Sequence, residues 1–443
     1  MLAQAWPILL GQLASIAYGV LDTMMTGHAS PADLAAMGLG ASVYSSVFMG
    51  LMGVITALNP IIAQHYGARR ERAIGPSYVQ GLWLALLLSA AGMPLLAYPE
   101  PWLAYIDAEA DVKALVTPYL RLLSAALPAA LLFRATYAFH VAVSRPKVMM
   151  TVQVAGLVLK VVLNYGLIFG RLGLPRLGVV GCGLASLIVF WTLFLLAWIH
   201  THLDAGYRRF AIGPAWPRWP LLGEQLRLGI PIGLSYGMES TSFTFMTLLA
   251  ARLGTTVMGG HQIISNLAAV AFQVPVALSV ATATMTAHAI GAGDLLRARR
   301  AAFTGIRAAV AAAALTSVTV WVFRRGVIGL YTDDVTVAGV ALSLLGFLIS
   351  FHTFDALQGI TAFVLRAYRI AVAPMVIYAV ALWGPGLVGG YLVAFHPVLG
   401  GPRGVAGLWL MQSVALGLTS VSLLGFYVWV LKRQRLAADP ALR

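Results

Sequence analysis

The chain alternates between long apolar runs and short polar connections, and this alternation predicts a bundle of membrane-spanning helices. A helix needs about 20 apolar residues to cross the hydrocarbon core of a bilayer. Twelve runs reach this length when Pro, Gly and charged residues mark their ends. The first six predicted spans are 6–27, 35–64, 77–98, 115–143, 148–169 and 179–200. After a longer polar connection, the other six are 227–251, 257–288, 301–323, 337–366, 371–395 and 404–431.

The composition supports a membrane protein and excludes several other classes. Of the 443 residues, 60% are hydrophobic and only 10% are charged, whereas a soluble domain carries about 25% charged residues. The run that begins near Trp6 is too long for the apolar core of a signal peptide, so it is predicted to be the first span. The single cysteine, Cys182, excludes an intramolecular disulfide and a cysteine-rich metal site.

The net charge of +14 lies mainly in short loops, which is the pattern of topology signals rather than of a nucleic-acid-binding face. One alternate set of loops is basic and contains Arg69, Arg145, Arg208, Arg300 and Arg366. The opposite set contains the acids Glu100, Asp107, Glu109 and Asp111, although it also has arginines, Arg171 and Arg403 among them. The positive-inside rule therefore places both termini in the cytoplasm. We expect a multi-pass protein of the inner (cytoplasmic) membrane, with no nucleic-acid partner.

Similar marker residues recur in the same order in two halves of the chain. Pro7 recurs as Pro231, and the same offset of 224 residues carries Gly67 onto Gly291. This order predicts two pseudo-symmetric lobes of six helices, related by an axis along the membrane normal, as in alternating-access transporters. The predicted divisions are an N-terminal lobe 1–200, a cytoplasmic linker 201–226, a C-terminal lobe 227–431 and a cytoplasmic tail 432–443.

Three carboxylates lie inside predicted spans, where an acid is costly and usually functional. They are Asp22, Glu239 and Asp355. An acid at bilayer depth costs about 2.5–3.5 kcal/mol on insertion scales. Three such groups in one chain predict a site that binds cations or protons within the membrane.

Several separated stretches resemble the multidrug and toxic compound extrusion (MATE) family, and in particular its NorM-like branch. They are WPILLGQ at 6–12, VLDTMMTG at 20–27, NPIIAQHYGA at 59–68, PIGLSYGME at 231–239 and DALQ at 355–358. The resemblance extends over residues 1–431. It implies a V-shaped transporter of twelve helices that exports organic cations and amphipathic drugs in exchange for inward Na⁺ or H⁺. We expect a monomer that uses no cofactor other than this coupling ion.

The resemblance assigns Glu239 and Asp355 to neighbouring helices of the C-terminal lobe, where they would bind Na⁺ or share a proton. Phe351 lies one turn before Asp355, so its ring can face the same way and contact a drug. Ser240, Gln262 and His261 are candidates for supporting polar contacts.

By the same resemblance, Asp22 acts with Asn164 in the N-terminal lobe. Some NorM-like relatives carry a second Asn one turn before this position, but this chain has Lys160. Residues four apart share a helix face, so Lys160 can point where Asn164 points. We expect Asp22 and Lys160 to form an internal ion pair that competes with Na⁺. Proton coupling is then the more plausible mechanism in this lobe. The alternative is that Lys160 lies away from the site or extends to the membrane interface.

Two other functions compete with drug export. A flippase for lipid-linked oligosaccharides, as in related duplicated transporters, would need basic residues in its cavity to hold pyrophosphate. A channel or a structural membrane protein would not need buried acids in both lobes. The sequence contains no G-x-x-x-x-G-K-[ST] phosphate loop and no H-E-x-x-H motif, so we predict neither an ATP-driven pump nor an enzyme.

Overall fold

The computed structural model describes residues 1–103, 110–398 and 401–438, and in these ranges the chain is helical without strands. The predicted loop acids Asp107 and Glu109, and residues 439–443 of the predicted tail, lie outside the described residues. The first helices are α1 (Leu2–Ala29), α2 (Pro31–Ile55), α3 (Leu58–Gly67), α4 (Glu71–Ala97), α5 (Glu100–Leu103), α6 (Ala110–Ala142), α7 (Pro146–Phe169) and α8 (Gly178–Leu203). The later helices are α9 (Trp219–Ala251), α10 (Thr255–Ala271), α11 (Gln273–Gly291), α12 (Leu295–Val322), α13 (Arg324–Gly329), α14 (Val335–Ala367), α15 (Val372–Ala381), α16 (Gly389–Phe395) and α17 (Gly404–Ala438).

Eleven helical segments within the described ranges are long and apolar enough to cross a membrane. Each corresponds to one predicted span. The remaining predicted span, 227–251, lies in α9, which has 33 residues but is not among the eleven. Glu239 and its neighbours Ser240 and Thr241 lower the hydropathy of this helix. These polar residues therefore distinguish the composition of α9 from that of the other spans.

Local sequence signals explain where several helices begin, end and change. Ser30 caps α2 by accepting a hydrogen bond from the backbone N–H of Asp33 at 3.0 Å, and Pro31 occupies the first turn, where no N–H is needed. Gly170 ends α7 in the left-handed conformation, at φ 71°. Between α15 and α16 the chain forms a π-helical turn that contains Pro385. Because proline has no N–H, it removes one hydrogen bond of a regular helix there.

The chain forms two compact units, and each contains one group of the predicted intramembrane acids. One unit comprises Ala3–Gly233 and Ala287–Gly293. The other comprises Met1–Leu2, Leu234–Thr286 and Asp294–Arg443. The division of the sequence into the lobes 1–200 and 227–431 with the linker 201–226 stays a prediction.

The segment after α8 is held to its own unit by hydrogen bonds and an ion pair. Asp204 accepts a hydrogen bond from the backbone N–H of Gly206 at 2.7 Å and forms an ion pair of 2.6 Å with Arg145. These two interactions hold the pKa of the Asp204 carboxyl below its usual value. The following 3₁₀ turn, Ala205–Phe210, buries its two aromatic side chains. The segment is therefore an ordered part of the unit rather than a loose tether.

Gly67 and Gly291, which occupy equivalent positions in the two halves of the sequence, lie in one unit. Each packs against the end of the helix that carries the other. A Cβ on Gly67 would overlap the backbone of His288, and a Cβ on Gly291 would overlap the backbone of Gln64. Backbone atoms cannot move aside as a flexible side chain can. Glycine is therefore required at both positions for this close approach.

We predict that Gly67→Ala destabilises the protein by about 1–3 kcal/mol, the usual cost of overpacking. The melting temperature of the purified protein in detergent measures this loss. Gly425→Ala is the matched control, because a Cβ on Gly425 in α17 meets nothing within 4 Å. Equal melting temperatures for the two variants would show that the contact at Gly67 is not maintained in the isolated protein.

Candidate functional site

Helices α9 and α14 bring Glu239 and Asp355 to a common hydrogen-bonding partner, Gln358. The Gln358 amide nitrogen Nε2 donates to Glu239 Oε1 at 3.1 Å and to Asp355 Oδ1 at 2.9 Å. Gln358 follows Asp355 by three residues, so both side chains lie on one face of α14. Asp355 is 8% exposed and Gln358 is buried. The two predicted acids therefore form a single site, which we call the bridged acid pair (Glu239, Asp355 and Gln358).

The orientation of Gln358 is determined by a third helix. The Tyr378 hydroxyl of α15 donates a hydrogen bond to Gln358 Oε1, and Tyr378 is itself buried. With its oxygen used by Tyr378, the amide directs both N–H groups at the acids. A neutral group thus holds two carboxylates together and leaves each with further acceptor capacity.

Neither acid has an ion-pair partner within the described ranges of the chain. The nearest buried cation on these helices, Arg366, instead donates from Nη1 to the Tyr236 hydroxyl at 2.9 Å. Its guanidinium also lies over the rings of Tyr236 and Phe363, at 4.8 and 4.5 Å from their centroids. The pair is therefore not neutralised by direct contact with a basic side chain.

None of the other residues predicted for this site forms a hydrogen bond with either acid in the described chain. Phe351 is buried among aromatic rings, with its centroid 5.2 Å from that of Trp409 and 6.2 Å from that of Phe243. His261 belongs to the same cluster and accepts a hydrogen bond from Trp409 Nε1 at 3.2 Å. Gln262 is exposed and Ser240 half-buried, and neither has a side-chain hydrogen bond to the acids. The drug-contact role of Phe351 stays a prediction.

In the other unit, Asp22 of α1 meets two side chains of α7 at one oxygen atom. Lys160 Nζ lies 2.9 Å from Asp22 Oδ1, and Asn164 Nδ2 donates to the same oxygen at 2.7 Å. The side chain of Lys160 is 2% exposed and that of Asp22 is 14% exposed. The spacing of four residues thus places both groups on the face of α7 that meets α1. The expected internal ion pair is present in the structure.

Helix α8 completes the environment of the lysine. Lys160 Nζ donates to Ser186 Oγ at 2.6 Å and is 3.4 Å from the backbone oxygen of Cys182. Three oxygens of three groups therefore surround the ammonium, which carries three hydrogens. Cys182 is a buried free thiol. No cluster of three or more His, Cys, Asp or Glu residues suitable for a metal ion occurs in the part of the chain that the structure describes.

Comparison with known proteins identifies the family. The family model MatE matches two segments of the chain, residues 7–166 and 231–392. The chain belongs to the MATE family. A probable multidrug resistance protein NorM from Aromatoleum aromaticum is 40% identical over 433 residues, covering 97% of this chain and 93% of that protein. The multidrug resistance protein PmpM from Pseudomonas aeruginosa is 34% identical over 430 residues, covering 96% and 89%. The predicted NorM-like MATE membership is confirmed.

Solved MATE structures confirm the fold class. The crystal structure of the eukaryotic MATE transporter AtDTX14 superposes with a TM-score of 0.87 at 22% identity, covering 96% of this chain and 94% of that one. At this identity the likeness shows the fold alone. The fold and the apolar helices together make this MATE chain an all-α, multi-pass membrane protein, as predicted.

Sequence reasoning did not assign site roles to Gln358, Tyr378 or Ser186. The signal for Gln358 was its position one turn after Asp355 in the DALQ motif. No comparable signal identifies Tyr378 or Ser186, because each reaches the site from a different helix. Spacing along one helix shows which residues share a face, but not which residues the facing helix presents.

We predict that Tyr378→Phe lowers both the stability and the drug transport of this MATE chain. The change removes the hydroxyl that donates to Gln358 Oε1 and leaves a buried acceptor unsatisfied, which costs about 1–3 kcal/mol. The amide is then free to rotate away from the acids. Melting temperature in detergent and initial efflux rate measure the two effects. Tyr391→Phe is the control, because Tyr391 is an exposed residue of α16; similar losses in both variants would contradict a specific role for Tyr378.

Proposed function

We propose that this chain exports cationic and amphipathic drugs in exchange for inward H⁺ or Na⁺. The names of its relatives, which are multidrug resistance proteins, support the drug substrate. The observation that carries the ion-coupled mechanism is the bridged acid pair, two carboxylates that share one neutral amide and form no ion pair in the described chain. We place the protein in the inner membrane with both termini in the cytoplasm, because the basic loops favour that orientation.

The chemistry of this site follows from the cost of burying charge. Two ionised carboxylates close together in an apolar environment repel each other and lose hydration. A proton on one of them, a Na⁺ ion between them, or an organic cation beside them reduces that cost. Each of the three uses the same oxygens, so binding of one opposes binding of the others.

Mutually exclusive binding couples the two flows when it is combined with a preference of each ligand for one facing state. If the ion and the drug favour states that open to opposite sides, the inward movement of the ion drives the drug outward. A pair of acids can release two monovalent ions for one monovalent drug, and one net charge then moves inward. One charge that crosses 100 mV yields about 2.3 kcal/mol, which supports a drug gradient of about 50-fold.

The decisive test is ethidium transport in proteoliposomes in which the Na⁺ and pH gradients are set independently. We expect ethidium transport when the Na⁺ gradient or the pH gradient drives ions in the direction opposite to ethidium. The gradient that supports transport identifies the coupling ion. The matched control is the double variant Glu239→Gln with Asp355→Asn, which keeps side-chain shape but removes both charges. Absence of transport under either gradient, or equal transport by the control, would exclude the proposal.

A further inference from the structure

Lys160 is a buried cation that already occupies the position where Asp22 would hold an ion. Its ammonium contacts Asp22 Oδ1, Ser186 Oγ and the Cys182 backbone oxygen, at 2.9, 2.6 and 3.4 Å. An oxygen set with one carboxylate, one hydroxyl and one backbone carbonyl is also what a monovalent metal ion would use. The side chain is 2% exposed, so it is enclosed by the protein rather than extended toward an aqueous surface.

We propose that Lys160 is a built-in cation that keeps metal ions away from Asp22, so that this acid changes its charge only by taking up a proton. The proposal deepens the proposed function by specifying the coupling ion of one lobe, and it rests on that function only in assigning the acid to transport. A metal ion at Asp22 Oδ1 would lie beside the ammonium, in a region where water does not screen like charges. To bind, it would have to displace Lys160 from all three oxygens.

The buried side-chain oxygen of Asn164 supports proton uptake by Asp22. Asn164 is fully buried, and its donor end is used by Asp22, but its acceptor Oδ1 has no hydrogen-bond partner in the described chain. Once Asp22 is protonated, its O–H becomes a donor. A rotation of the Asn164 amide then lets that oxygen accept the new hydrogen. The unused acceptor thus has a partner in the protonated state that it lacks in the ionised state.

Two other titratable groups lie near Asp22, come from two other helices and are uncharged at neutral pH. They are the Cys182 thiol of α8 and the Tyr119 hydroxyl of α6. Lys160 is therefore the one charged group in direct contact with Asp22 among the residues that the structure describes. The charge state of the site depends on these two groups together.

The test measures ion binding without transport, in a parent variant whose other acids are neutral (Glu239→Gln with Asp355→Asn). Melting temperatures of the purified protein are compared in choline, sodium, lithium and potassium chloride at fixed pH and ionic strength. We expect no ion-specific change in the parent. Adding Lys160→Ala should produce a saturable rise of several degrees with one of the metal ions, because ligand binding stabilises the folded state. Adding Asp22→Asn as well should remove that rise.

A small amine provides an independent measurement. The alanine variant lacks the three outer methylenes and the ammonium of lysine, so propylammonium should stabilise it more than tetramethylammonium of the same charge does. A sodium-specific stabilisation of the parent that Asp22→Asn removes would overturn the proposal. So would an alanine variant that responds to neither metal ions nor propylammonium. If the alanine variant does not fold, the sodium dependence of the melting temperature of the parent and of its Asp22→Asn derivative still tests the proposal. If the proposed function itself were wrong, the unmodified chain would show no drug transport, and this result is independent of the ion-binding measurements.

Discussion

Replacing Asp355 with asparagine is expected to reduce ethidium efflux to the background of cells that carry no transporter. The change keeps the size of the side chain and an oxygen that can accept the hydrogen bond from Gln358 at 2.9 Å. It removes the charge that would bind the coupling ion. A loss of at least about tenfold in the initial efflux rate corresponds to more than about 1.4 kcal/mol of lost coupling or transition-state stabilisation. Fluorescence of ethidium in energised cells measures the rate.

The stability of this variant separates a functional loss from a folding defect. Removing a charge that is 8% exposed, while keeping its hydrogen bond, should leave the melting temperature unchanged or raise it. Asp111→Asn neutralises an exposed acid at the start of α6 and serves as the control that retains full efflux. If Asp355→Asn retained the efflux rate of that control, the bridged acid pair would not be the coupling site.

The alternation of apolar and polar segments predicted the helices well, because bilayer thickness sets their length and apolar content. It also predicted α9, which is not among the eleven segments that are long and apolar enough to cross a membrane. The structure shows helices α2 and α3, and α10 and α11, as separate pieces within single predicted spans. Hydropathy alone does not register such breaks, because every piece remains apolar.

Residue spacing predicted which site residues share a helix face, whereas the pairing of residues between helices came only from the family resemblance. Asp355 with Gln358, and Lys160 with Asn164, follow from spacings of three and four residues. Tyr378 and Ser186 depend on how α15 and α8 pack, and no residue spacing carries that information. Phe351 shows the same limit, since its ring shares a helix with Asp355 but packs against Trp409. The position of a residue on its own helix therefore does not specify which residue of a facing helix it contacts.

The two groups of acids differ in how their charge is balanced, and this difference gives them separate proposed roles. Asp22 is in direct contact with an ammonium, whereas the bridged acid pair contacts only a neutral amide. A site balanced by its own lysine gains little from an external metal ion or a cationic drug. A site without such a partner is stabilised by a proton, a metal ion or a drug. We therefore assign the exchange of ions for drug to the bridged acid pair, and a proton-dependent change to Asp22.

Removing the lysine of the Asp22 ion pair is expected to be among the most destabilising single changes in the chain. Lys160→Met keeps most of the apolar stem but leaves the carboxylate, 14% exposed, without its ammonium. Breaking a buried ion pair on one side costs about 3–5 kcal/mol, because the remaining charge loses its counter-charge and is largely shielded from water. We expect a large fall in the melting temperature of the purified protein in sodium-free buffer, where no metal ion can replace the ammonium.

The double variant Lys160→Met with Asp22→Asn distinguishes loss of pairing from loss of packing. It removes both charges, so most of the stability lost in Lys160→Met should return, even though one more native side chain has been replaced. Recovery of this kind is a coupling energy between two residues in contact. Additive losses would instead mean that each side chain acts alone, and that the 2.9 Å contact between Lys160 Nζ and Asp22 Oδ1 contributes little.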